Sequence, residues 1–194
     1  GHLGCFSFFP TKNLGALGDG GLVATNDDAL ADEIRLVCNH GNRPKYNQIR
    51  VGGNFRLDAI QAAALSVKLP HLDDWNEARR TCAHRYDELL SHWGGIDAPQ
   101  ADEICTHVYH QYTIKVKDGR RDALKDYLRD KGIPSVVFYP LAVHQQKAYQ
   151  ELAKPGELPV SEQLCQEVLS LPIHTEFDNA QLDYICEQVH AFFK

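Results

Sequence analysis

The sequence predicts an α/β protein in two parts. Three observations carry this. Short runs of aromatic and β-branched residues alternate with segments of helical period, a long helical stretch fills the middle of the chain, and a glycine–proline break comes after it between Gly94 and Pro99.

Residues 3–9 read as a short buried strand stopped by Pro10. Glycines at 15, 18, 20 and 21 punctuate the next segment, and Asp19-Gly20 is a hairpin-turn signal ahead of a second strand, Leu22-Val23-Ala24-Thr25. Asn26, Asp27 and Asp28 supply an N-cap for a helix reaching about Val37, with Leu30, Ile34 and Val37 on one face and a stop at Asn39-His40-Gly41. Residues 42–53 are polar and glycine-containing, and read as a loop that orders on binding. From about Asp58 to Leu90 the pattern is helical, with Ile60, Ala64 and Val67 in phase and Pro70 as a kink or break.

Beyond the glycine–proline break, His110 to Val116 reads as a strand and Arg121 to Lys131 as an amphipathic helix ending at Gly132. Val136-Val137-Phe138-Tyr139 reads as another strand. Helices are expected around 145–153, 160–169 and 179–193, the last capped by Asp178 or Asn179. The expected domains are therefore residues 1–93 and 94–194.

Composition narrows the function. With 20 Lys+Arg against 26 Asp+Glu and no basic run, nucleic acid and anionic membranes are disfavoured as main partners. No apolar stretch approaches the roughly 18 to 20 residues of a membrane span, and no signal peptide is visible. The six scattered cysteines form no CxxC pair, which reads as reduced thiols in a cytoplasmic protein. The chain has no methionine and opens directly on an apolar run, as expected of a start inside a domain.

The chemistry-bearing stretch is Ser7-Phe8-Phe9-Pro10-Thr11-Lys12-Asn13-Leu14-Gly15-Ala16-Leu17-Gly18-Asp19-Gly20-Gly21. A lysine here sits just after a strand, in a tight turn with glycines beyond it. Desolvation in such a place favours amine nucleophilicity and Schiff-base formation. Ser7 can present a hydroxyl to an anion. On physics alone, a solvated loop lysine fits the same pattern.

This segment resembles the active-site lysine signature of the DegT/DnrJ/EryC1/StrS family of sugar aminotransferases. A second block, Gly53-Asn54-Phe55-Arg56-Leu57-Asp58-Ala59-Ile60-Gln61-Ala62-Ala63, resembles that family's Gly-x-Asn-x-Arg segment. A third, Tyr139-Pro140-Leu141 with His144-Gln145, is similar to its small-domain Tyr-Pro…Leu-His-Gln stretch, with Ala142-Val143 intervening. The three blocks agree in order and spacing from end to end.

The resemblance implies a fold-type-I pyridoxal-phosphate (PLP) transferase, represented by the end of its large domain plus the small C-terminal α/β domain. It implies Lys12 as Schiff-base lysine and proton carrier, with Ser7 and Asn54 on the cofactor phosphate, Asn54 from the neighbouring subunit of a homodimer. By position, Asn54 also fits a helix N-cap as the lesser alternative. Arg56 pairs with a phosphate or with a carboxylate such as Asp58. His144 and Tyr139 line the sugar pocket or are structural. Lys45 and Tyr46, with His40 and Arg43, meet the sugar nucleotide's diphosphate or form a solvated loop. His107-x-x-His110 has metal-like spacing without a third ligand, so no metal is expected.

The implied reaction moves an amino group from glutamate to a keto sugar nucleotide, with 3-keto favoured over 4-keto. The family's ring-nitrogen carboxylate, stacking aromatic and most of its large-domain sheet lie upstream of the lysine. The chain alone is therefore expected to be inactive and to associate with itself or with an N-terminal half. The alternative is a non-catalytic association module that keeps the dimerisation part of the fold.

Overall fold

The computed structural model describes residues 1–91, 93–152 and 154–194, in two compact units, Gly1–Asp73 and Asp74–Lys194. The division falls ahead of the expected 93/94 boundary, because the long central helix buries its apolar face in the second unit's core.

In the first unit, β1 (Gly4–Ser7) and β2 (Gly21–Ala24) form an antiparallel ribbon, Gly4 opposite Ala24 and Ser7 opposite Gly21. The strand expected to be buried is not: Phe6 is 56% exposed and Phe9 48%. A two-stranded ribbon covers neither of its own faces. Asp19-Gly20 closes no two-residue hairpin, since residues 8–20 all lie between the strands. Helix α1 (Asp28–Cys38) begins where Asp27 Oδ1 accepts the Ala29 and Leu30 N–H groups, and it buries Leu36. The loop expected to order only on binding carries its own bonds: Arg43 N–H to Asn47 O, Asn47 N–H to Pro44 O and Ile49 N–H to Gly41 O.

Helix α2 (Ala59–Lys68) runs into a 3-10 turn at Leu69–His71 containing Pro70, then into α3 (Leu72–Leu90). Pro70 tightens one turn here, its missing N–H falling where the α-helical ladder is already interrupted. The phase expected to face a core faces outward instead, with Ile60 74% and Val67 72% exposed, while Leu65 is buried.

In the second unit, β3 (Ile96–Asp97), β4 (Tyr112–Val116) and β5 (Val168–Leu171) form an antiparallel sheet in that order. Along β4, Tyr112, Ile114 and Val116 are buried, the period-two pattern of a one-sided sheet. Helix α3 covers that face with Cys82, Ala83, Tyr86 and Leu90; α4 (Arg121–Asp130) adds Leu124 and Leu128. Helix α5 (Pro159–Glu167) leads into β5, and α6 (Asn179–Phe193) contributes Leu182, Ile185, Cys186 and Val189. A capping box starts α6: Asp178 Oδ1 accepts the Gln181 N–H, and Gln181 Oε1 accepts the Asp178 N–H.

Three expectations fail here. Residues 136–139 form no strand. Only Val136 bridges Ser170, and Pro134 and Pro140 bracket it, each without a donor for a ladder. Residues 145–152 form no α-helix; after the 3-10 turn Val143–Gln145 come i→i−3 bonds, Tyr149 N–H to Gln146 O and Leu152 N–H to Tyr149 O. The end of that expected helix, Ala153, lies outside the described residues. The helix expected over 160–169 stops at Glu167, because Val168 to Leu171 pair with Lys115 to Tyr112 of β4.

Candidate functional site

Ser7 ends β1, and its Oγ accepts the Phe9 N–H at 3.3 Å, which leaves the hydroxyl hydrogen to serve as a donor. Lys12 sits in the adjoining turn, closed by its own backbone: Lys12 N–H to Phe9 O at 2.9 Å, Ala16 N–H to Phe8 O at 2.8 Å and Phe8 N–H to Gly20 O at 2.8 Å. Gly15 permits the closure, since a Cβ there would overlap the Pro10 carbonyl.

Two side chains of α2 pin the far side of this turn. Gln61 Oε1 accepts the Leu17 N–H at 2.8 Å, and Lys68 Nζ donates to Gly15 O at 2.6 Å. Sequence reading assigned neither a role. Their separation of seven residues, two helical turns, puts both on one face and was the available signal. Lys12 is a half-buried residue on a turn fixed from both sides.

Asn54 is exposed and is no helix cap, because α2 begins at Ala59 after Asp58. Its Oδ1 accepts Arg56 Nε at 2.8 Å, and Arg56 Nη1 donates to Asn39 Oδ1 at 3.0 Å. Arg56 thus contacts two amides and not the Asp58 carboxylate. Lys45 lies over the Tyr46 ring at 5.0 Å, with Tyr46 80% exposed. Their loop is tied to α1 by Arg43–Asp32 (3.8 Å) and Arg50–Glu33 (3.0 Å). Exposed pairs of this kind each contribute about 0 to 1 kcal/mol.

In the second unit, Tyr139 and His144 line one mainly apolar cleft of about 400 Å³ with Leu141, Val143 and Tyr149. His144 is buried, and its Nε2 lies 2.9 Å from Glu162 Oε1, which also accepts the Gly156 N–H at 2.6 Å. No local signal links residues 144 and 162, so sequence reading missed the carboxylate. The His144 contact first, then the Gly156 N–H, lowers the Glu162 pKa. A lowered carboxylate pKa stabilises the fold above the unfolded value and loses that contribution as pH falls through the folded one. A 13C NMR titration is expected to place the Glu162 carboxyl midpoint below the ordinary glutamate value, and His144→Ala to bring it back up; an unmoved midpoint would refute the pairing.

His107 Nδ1 accepts the Tyr109 N–H at 2.9 Å. Among the described residues no group of three or more His, Cys, Asp or Glu is placed to hold a metal, and no helix is long and apolar enough to cross a membrane. All six cysteines are free, and burial pushes the Cys186 thiol up to about 12.

Ser7 and Lys12, a strand-end hydroxyl and an amine on the adjoining turn, are of the types that meet an anionic group and an electrophilic carbonyl, whereas Asn54 lies on a separate segment bonded to Arg56.

The model of the DegT/DnrJ/EryC1/StrS aminotransferase family matches residues 1–190. A "Pleiotropic regulatory protein" of Geobacillus stearothermophilus is 45% identical over 197 residues, covering 100% of this chain and 52% of the relative. The UDP-N-acetyl-3-dehydro-alpha-D-glucosamine 3-aminotransferase of Acidithiobacillus ferrooxidans is 44% identical, with 94% of this chain and 48% of the relative covered. Among solved structures, S. venezuelae DesV in complex with a ketimine intermediate superposes with a TM-score of 0.92 at 39% identity, over 99% of this chain and 52% of that one. The chain spans about half the length of these relatives.

Proposed function

The chain belongs to the DegT/DnrJ/EryC1/StrS aminotransferase family, and from that membership we propose that it carries the Schiff-base lysine of a PLP-dependent sugar-nucleotide aminotransferase. The observation that carries the reading is the Lys12 turn, held by its own backbone and by Gln61 and Lys68. A nucleophilic amine needs a fixed approach to a carbonyl, and this turn supplies it.

In the proposed site, PLP supplies the electron sink for breaking a C–H bond next to nitrogen. Lys12 would hold the cofactor through Nζ, and the same atom would carry the proton. Ser7 donates its hydroxyl to the cofactor phosphate. Asn54 donates its amide to the phosphate in a neighbouring subunit. For the second unit taken by itself, Tyr139 and His144 are the proposed sugar contacts, with Glu162 orienting His144. Lys45 and Tyr46 present charge and ring to the diphosphate.

The proposed donor is glutamate and the acceptor a 3-keto sugar nucleotide; the name of the Acidithiobacillus ferrooxidans relative supports the 3-position. The six free thiols suit the cytoplasm. The proposed macromolecular partner is a second copy of the protein. Incubating the full-length protein with PLP, glutamate and matched 3-keto and 4-keto sugar nucleotides tests this. Amination of the 3-keto compound is expected; turnover of neither would overturn the reading.

The second reading, a non-catalytic association module, is favoured by one observation, the outward apolar face of α2 bearing Ile60 and Val67. It requires a full-length protein that associates yet binds no PLP.

A further inference from the structure

Arg56 reaches two amides at once, Asn54 Oδ1 from Nε at 2.8 Å and Asn39 Oδ1 from Nη1 at 3.0 Å. The two segments are already zipped by backbone. Asn39 and Asn54 form an antiparallel bridge, flanked by His40 N–H to Gly53 O at 2.9 Å and Phe55 N–H to Cys38 O at 3.1 Å. Asn39 is also the residue that ends α1, where its N–H reaches Leu36 O. The guanidinium therefore ties the end of a helix to the segment bearing Asn54.

An asparagine amide is two-ended. Its oxygen accepts, its nitrogen donates, and rotation of the side chain exchanges them. An anion such as phosphate takes only the NH2 end. A guanidinium has donors and no acceptor, so only the oxygen end of Asn54 can face it.

We infer that Arg56 is a positioning residue that acts through Asn54, holding its amide oxygen inward so that its NH2 group meets the cofactor phosphate. This rests on the proposed reading of Asn54 as a phosphate donor. Arg56 does this with a planar fork fixed at a second point by Asn39. Lysine would keep the charge but not the two-point geometry. Without the fork, only the long contact from the Arg56 backbone N–H at 3.5 Å holds the Asn54 oxygen, and the amide turns its oxygen toward an anion more often.

The test is a double-mutant cycle on the PLP dissociation constant of the full-length protein, read by visible absorbance, with melting by circular dichroism to confirm folding. Asn54→Ala and Arg56→Ala are each expected to weaken PLP about tenfold, the loss of one hydrogen bond to a charged group. The double variant is expected to be no weaker than Asn54→Ala, because Arg56 then has nothing to orient. The 31P resonance of the bound cofactor is expected to move in the same direction in both single variants. If Arg56→Ala does not fold, Arg56→Lys replaces it, expected to weaken binding in the native background but not beside Asn54→Ala.

Losses that multiply to about a hundredfold would show Arg56 meeting the phosphate on its own account, and would overturn the inference. So would wild-type affinity in both Arg56 variants. In either case wild-type PLP binding would leave the proposed function standing. A wild-type protein that binds no PLP would overturn both.

Discussion

Replacing Lys12 by alanine is expected to lower amino transfer by the full-length protein at least about a thousandfold, because the residue is proposed to hold the cofactor and to carry the proton. The fold should survive. The turn around Lys12 is closed by the backbone bonds of Phe8, Phe9, Lys12 and Ala16 and by the side chains of Gln61 and Lys68. Steady-state rates of Lys12→Ala and wild type, with melting curves for both, check this. A Lys12→Ala variant within tenfold of wild type would remove Lys12 from the chemistry. Loss of activity together with loss of folding would make its role structural.

The largest expected effect on stability lies at Tyr86. Its ring is fully buried at 0% exposure, 4.7 Å from the Tyr112 ring, and its hydroxyl donates to Pro172 O at 2.7 Å. Burial drives its pKa upward, so it stays a neutral donor across the ordinary range. Tyr86→Ala removes an aromatic side chain from a core assembled by α3, β4 and α6 and is expected to cost about 3 to 5 kcal/mol. Tyr86→Phe keeps the packing and strands the Pro172 carbonyl, at a cost of about 1 to 2 kcal/mol. Urea unfolding separates the cases. Equal losses would assign the effect to the hydrogen bond, and no loss in either would mean that this core is not limiting.

Elements whose signals are local were legible in the sequence. The N-cap of α1 at Asp27, the amphipathic α4 and the capping box of α6 all arise from side chains within a few residues of the bonds they make. The α/β class was readable from the alternation of strand-like and helical runs and the family from three blocks in fixed order, and the fold of the matched solved structures is that of the fold-type-I class implied.

The failures share one cause, partners distant in the chain. Val168 and Leu169 read as the tail of a helix, but β4, far earlier in the chain, supplies a strand register for Val168 to Leu171. Val136 to Phe138 has strand-like composition, but two prolines confine its pairing to one bridge. Ile60 and Val67 have the correct period, yet period gives a face without saying what covers it. In the site, Lys12, Ser7 and Asn54 could be named from their motifs. The groups that hold them could not: Gln61 reaches 44 residues back to Leu17, Lys68 reaches 53 back to Gly15, and Glu162 lies 18 beyond His144.

The most direct test of the central claim is borohydride reduction of the full-length protein with PLP, and then peptide mapping. One pyridoxyl adduct is expected, on the peptide containing Lys12 and absent from Lys12→Ala. Adducts spread over many lysines, or none, would contradict it.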